Sequence, residues 1–179
     1  GRAGAAWPGG RSSEEVLVWN ALRRELHYQY RCARLAWGFL ARRFIHCNLQ
    51  VTYRCNFRCE ICDSWKTPHD EREELTLADI RLIGRKLRRL GTLIVSLAGG
   101  EPLARRDLPD VIRILREEDH FPILITNGWY VDEAAAKAIL RAGLQEISVS
   151  VDYADPRRHD AQRGKEGAWA RAVEALRLL

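Results

Sequence analysis

The stretch Val51-Thr-Tyr-Arg-Cys55-Asn-Phe-Arg-Cys59-Glu-Ile-Cys62 decides how this chain is read. Cys55, Cys59 and Cys62 stand in a C-x3-C-x2-C pattern, three thiols within eight residues. A tetrahedral structural zinc site wants four ligands. Three thiolates hold three irons of a [4Fe–4S] cube and leave the fourth iron open, which argues for chemistry rather than for a staple. Spacing alone keeps two other readings in play. One is a zinc knuckle that borrows Cys47, His46 or His69; the other is an ordinary site with four thiolates. Disulfides are not expected, because the cysteines number five and no secretory pattern is evident in the sequence.

Downstream of the cysteines, Leu93-Ile-Val-Ser-Leu-Ala98 is a short apolar run that reads as a buried parallel strand. It ends in Gly99-Gly100-Glu101-Pro102. Two glycines at a strand's carboxyl end let the backbone approach a ligand, and a carboxylate there accepts hydrogen bonds from an ammonium group. A tight turn explains the same residues equally simply.

The rest of the chain repeats this strand–helix rhythm. Ile45, Cys47, Leu49, Val51 and Tyr53 alternate with polar residues and predict a first strand that delivers the cysteine loop. Leu75 to Leu90 has helical spacing, a capping-box pair Thr76/Asp79 and a terminal Gly91. The second strand is predicted at Leu93 to Leu97, and a helix from Asp107 to about Glu118. A third strand is predicted over Pro122 to Thr126, and a helix capped by Asp132 runs through Arg141 to Gly143. A fourth strand follows over Glu146 to Val151, then a helix from Ala168 to Leu179. Such alternation means a parallel sheet with right-handed crossovers, whose ligands gather at the strands' carboxyl ends. The cysteine loop, Gly-Gly-Glu, Thr126-Asn127-Gly128 and Ser148-Val-Ser150-Val-Asp152 all fall there.

Two of these motifs carry competing readings. Asn127-Gly128 is a routine turn signal as well as a rim element. Ser148, Ser150 and Asp152 share one face of their strand, so they either look into a ligand site or simply fill a barrel, with Asp152 also a candidate cap. The segment from Arg157 to Gly164 reads mainly as solvated loop charge, with His159 and Arg163 the two residues able to reach a ligand. Trp65 and residues 70–74 read as an exposed flap.

Taken together these motifs resemble the radical S-adenosylmethionine (radical SAM) enzymes, over about Leu49 to Leu179. In that family the cysteine triad, here Cys55, Cys59 and Cys62, binds a [4Fe–4S] cluster whose open iron is chelated by SAM. The resemblance implies that Gly99, Gly100 and Glu101 contact the methionine amino group. It also implies that Asn127, Ser148, Ser150 and Asp152 lie toward the nucleoside. Ile61 departs from the family's frequent aromatic residue before the third cysteine and packs against adenine as an aliphatic. The implied chemistry is reductive cleavage of SAM to a 5′-deoxyadenosyl radical that abstracts hydrogen from a substrate. A flavodoxin- or ferredoxin-type reductant is implied as a partner, and a reducing cytoplasm as the location.

The expected fold is therefore α/β, a partial TIM-type (βα) barrel preceded by a basic amphipathic helix. Four units are countable where the family's barrel normally has six, and the sequence lacks methionine, so it reads as a truncated core. Residues 1–13 are read as disordered, 14–44 as a helical extension and 45–179 as the core. Lys plus Arg outnumber Asp plus Glu 8 to 3 in the first 48 residues and match at 21 each thereafter. The whole net charge of +5 thus sits in the extension. There Leu22, Leu26, Tyr30, Ala33, Trp37, Leu40 and Phe44 form an amphipathic stripe among arginines. Docking on the barrel is the expectation, contact with an anionic membrane surface the alternative. The stripe is too charged to span a bilayer, and no stacking surface marks a nucleic-acid site. Cys32 and Cys47 are read as buried small hydrophobes.

Overall fold

A computed structural model of the chain describes residues 13–66 and 70–179. It divides into a unit up to Arg42 and a unit from Arg43 to Leu179. The first contains one long helix, α1 (Ser13–Leu40). Cys32, expected to be buried on the stripe, is instead exposed on this helix. The expectation for residues 1–12, and His69 as a ligand, fall outside the described residues. Among the described residues no helix is long and apolar enough to cross a membrane.

The second unit is built on a four-stranded parallel sheet in the order β1 (His46–Thr52), β2 (Ile94–Gly99), β3 (Phe121–Thr126), β4 (Glu146–Val149). Neighbours in sequence are neighbours in the sheet, as consecutive βα units give in a TIM-type barrel. Between the strands run α2 (Leu77–Leu90), α3 (Leu108–Glu117) and α4 (Glu133–Arg141). After β4 come α5 (Pro156–Arg163) and α6 (Ala168–Leu178).

Local signals explain most of these boundaries. The Thr76 hydroxyl accepts from Asp79 N–H while the Asp79 carboxylate accepts from Thr76 N–H, so the predicted capping box starts α2, and Gly91 closes it in a left-handed cap. Asp132 accepts from Ala135 N–H at 2.7 Å and starts α4. Leu97, Leu124, Ile80, Ile112, Leu115 and Ile139 meet between sheet and helices with at most 1% of their surface exposed. Truncating one such leucine or isoleucine to alanine costs about 2–5 kcal/mol.

Two expectations need correction. The fourth strand stops at Val149 rather than Val151, because its pairing with β3 runs from Ile123↔Glu146 to Thr126↔Val149 and β3 ends there. The segment from Arg157 is not a solvated loop but α5, with Asp155 capping it through Arg158 N–H at 2.8 Å. Its His159 is 1% exposed.

Candidate functional site

β1 ends in a bulge that aims the cysteine loop. Gln50 pairs with Ala98 and Thr52 with Gly99, so Val51 is the extra residue. Its carbonyl accepts from the buried Arg105 guanidinium at 2.8 Å. Bulges re-aim a strand in this way beside functional sites. Past the bulge the loop is tied at several points. Arg54 N–H donates to the Thr52 hydroxyl at 3.0 Å, and the Arg54 guanidinium forks onto Glu74 at 2.9 and 3.1 Å. Thr52 also hydrogen-bonds Glu74. Burial acts to raise the Glu74 pKa, and the hydrogen bonds from Arg54 and Thr52 outweigh it and hold the carboxyl below its usual value. Glu74 therefore braces the loop, whereas Arg72 and Glu73 are exposed, as the flap reading of residues 70–74 expected.

The Gly-Gly pair lies directly on this loop. Gly100 N–H donates to Thr52 C=O at 2.8 Å, and Glu101 N–H to Arg54 C=O at 2.7 Å. A Cβ on Gly99 would lie 2.1 Å from the Thr52 carbonyl oxygen, and one on Gly100 2.2 Å from that of Arg54. The backbones are in contact, and only glycine fits between them.

Cys55, Cys59 and Cys62 line one cavity of about 200 Å³. Gly99, Gly100, Asn127 and Ser150 line it too, as does Ile61 although 67% of its surface is exposed. The cavity therefore gathers most of the residues singled out from sequence. Phe57, Ala98, Ile125, Thr126 and Arg163 complete its wall. Of these, Phe57 and Thr126 belong to the quoted motifs and Arg163 was one of two residues noted in its segment. Ala98 and Ile125 carried no signal beyond their place beside a motif.

Three expected site residues stand elsewhere. Ser148 is exposed on β4 and does not line the cavity. Asp152 lies beyond the strand and pairs with Arg163. Glu101 is 1% exposed, and its carboxylate is taken by protein donors rather than held open for an ammonium group. It accepts from Thr126 Oγ1 at 2.7 Å, Asn127 N–H at 2.8 Å and Leu103 N–H at 3.1 Å. Burial pushes its pKa up, and these three hydrogen bonds oppose the shift.

Asn127 forms the expected turn and also reaches the cysteine loop. Its side-chain oxygen accepts from Trp129 N–H at 2.9 Å, forming the turn, and its amide donates to Asn56 of the cysteine loop at 2.9 Å. Cys47, expected to be buried, is half-buried and packs on the apolar core away from the cavity.

The donor set fits a cluster. Among the described residues no three His, Cys, Asp or Glu side chains converge as they would on one metal ion. The three thiols line one shared cavity, and three thiolates are the donor set of a cluster with an open iron. Burial pushes the Cys55 and Cys59 thiols up, so ligation there displaces protons.

A sequence model of the Radical SAM superfamily matches residues 49–179. The chain belongs to the radical SAM superfamily. Its members are enzymes, and membership implies a [4Fe–4S] cluster and SAM as cofactors. The chain is similar to the GTP 3′,8-cyclase of Photorhabdus laumondii subsp. laumondii, with 42% identity over 130 residues. That match covers 70% of this chain and 39% of the relative, so the chain spans well under half of the relative's length. Among solved structures it is similar in fold to Streptococcus suis SuiB bound to S-adenosylmethionine (TM-score 0.62, 17% identity, 90% of this chain and 40% of that one). Methylornithine synthase gives a TM-score of 0.62 at 19% identity, covering 94% of this chain and 48% of the other. These likenesses confirm the partial TIM-type barrel.

Proposed function

We propose that this chain is the cluster- and SAM-binding part of a radical SAM enzyme, with Cys55, Cys59 and Cys62 as the cluster ligands. The observation that carries the reading is the convergence of three thiols, the Gly99-Gly100 backbone, Asn127 and Ser150 on one cavity. When bound there, the cluster supplies the electron that cleaves SAM to methionine and a 5′-deoxyadenosyl radical, the hydrogen abstractor.

The chain's own residues hold and orient. Gly99 and Gly100 keep the wall free of side chains, so a methionine moiety reaches backbone groups. Glu101 acts from behind, fixing the end of β2 to Thr126 and Asn127. Asn127 and Ser150 offer polar groups to a nucleoside, and Ile61 an apolar surface for its base. Phe57 packs edge-on against Trp129 with ring centroids 5.7 Å apart and closes the floor beside the thiols. The electron source is a small low-potential carrier of flavodoxin or ferredoxin type, and the setting a reducing cytoplasm.

The test is anaerobic reconstitution with iron and sulfide, then EPR of the reduced protein with and without SAM. A [4Fe–4S] signal that shifts on adding SAM is the expected result. A cluster blind to SAM, or a single bound zinc, overturns the reading.

A further inference from the structure

The carboxyl end of α5 is in backbone contact with the cysteine loop. Glu60 N–H donates to Gln162 C=O at 2.9 Å. Two residues on, Gly164 has φ +60°, and a Cβ there would lie 2.4 Å from the Arg58 carbonyl oxygen. Any other residue would push the segments apart. Arg163 stands between these two contacts, so its side chain is delivered to the thiols by main-chain geometry.

That side chain is only 13% exposed and lines the cysteine cavity. Its guanidinium is gripped by Asp152: Nη2 donates to Oδ1 at 2.9 Å and Nε lies 2.7 Å from Oδ2. Asp152 is held in turn through its own N–H, which donates to Nδ1 of the buried His159 at 3.2 Å. Arg163 lines the cavity with the three thiols and Asp152 does not, so the cationic side of the pair faces the thiols, and its charge opposes the rise that burial imposes on Cys59. From sequence, His159 and Arg163 stood out only as the two residues of a charged segment able to reach a ligand.

We infer that Arg163, held by Asp152 in the wall of the cysteine cavity, is a positioning residue whose fixed charge raises the reduction potential of a cluster bound there. The inference rests on the functional reading above. Taking up one electron adds negative charge to a group already ringed by thiolates. A fixed cation beside the ligand sulfurs favours the reduced state over the oxidised one, a lever by which proteins set iron–sulfur potentials. Arg163 is oriented by protein partners before any ligand arrives, so little rearrangement accompanies reduction.

The experiment is an EPR-monitored redox titration of the full chain, reconstituted anaerobically as wild type, Arg163→Met and Arg163→Lys. At the potential where half of the wild-type cluster is reduced, Arg163→Met should show about a tenfold lower ratio of reduced to oxidised cluster. For a one-electron couple that is a downward shift of about 59 mV. Arg163→Lys keeps the charge but not the planar guanidinium that Asp152 orients and should fall between the two. A ratio in Arg163→Met within twofold of wild type overturns the inference. If Arg163→Met fails to load a cluster, a wild-type ratio in Arg163→Lys overturns it. Failure of both variants to load, beside a loaded wild type, also overturns it and makes Arg163 part of loop assembly. A wild type that takes up no [4Fe–4S] cluster sinks the functional reading itself, and the inference with it.

Discussion

Glu101 accepts the backbone N–H of Asn127 at 2.8 Å, tying the end of β2 to the end of β3 from inside the protein. With the Thr126 hydroxyl and Leu103 N–H also on this carboxylate, Glu101→Ala leaves three donors without their acceptor. Each unsatisfied buried donor costs about 1–3 kcal/mol, so the variant should lose about 3–5 kcal/mol in urea unfolding. Glu101→Gln keeps one acceptor oxygen and should lose less. An alanine variant within about 1 kcal/mol of wild type would show that the tie contributes little.

Gly100→Ala should abolish cluster loading. Its Cβ would collide with the Arg54 carbonyl oxygen at 2.2 Å, and the cysteine loop would have to move. Gly167 makes the control, since a Cβ there meets nothing within 4 Å and only its φ of +78° opposes substitution. Gly167→Ala should cost about 1–2 kcal/mol and leave iron and sulfide content unchanged. Equal iron content in the two variants would contradict the close-contact argument.

Acid should weaken the fold through His159. Burial first, and then the Arg163 charge, hold its pKa below the usual 6.5 against the pull of Asp152 and Asp160. Between the folded and unfolded pKa values the unfolded chain binds more protons. The contribution is therefore complete above about pH 6.5 and is lost as pH falls below it, at no more than about 1.4 kcal/mol per unit. Stability measured at pH 7.5 and 5.5 should fall more for wild type than for His159→Asn, which still offers Asp152 N–H an acceptor. Parallel losses in both proteins would remove His159 as the cause.

Single replacements of Cys55, Cys59 or Cys62 by alanine should each lose the EPR signal of the reduced cluster. Cys47→Ala should retain it, because Cys47 packs on the core. Loss of the cluster in Cys47→Ala would mean that a fourth thiolate closes the site.

What could be read from sequence was local. The capping box at Thr76 and Asp79, the cap at Asp132 and the apolar run ending in Gly99-Gly100 each declare themselves within a few residues. α5 did not, because Pro156–Arg163 is polar almost throughout and has no apolar stripe. It is held by one buried histidine, an Asp155 cap and main-chain contacts, none of which has a period. The orientation of Glu101 was hidden for a different reason. It depends on Thr126 and Asn127, about 25 residues away and on another strand. Ser148 and Asp152 were grouped with Ser150 by alternation and by the resemblance, and the end of β4 at Val149 breaks that alternation before Asp152.

The grip of Gln162 and Gly164 on Glu60 and Arg58 also bears on the order in which the protein can be finished. The three thiols leave the ribosome about a hundred residues ahead of the segment that braces them. Until that segment arrives, the loop is a long-range contact still waiting to form, and such contacts are the slow ones in folding. Iron and sulfide delivered early would meet three thiols on an unfinished loop. Maturation of the cluster thus belongs after synthesis of the fourth strand–helix unit, not alongside the cysteines.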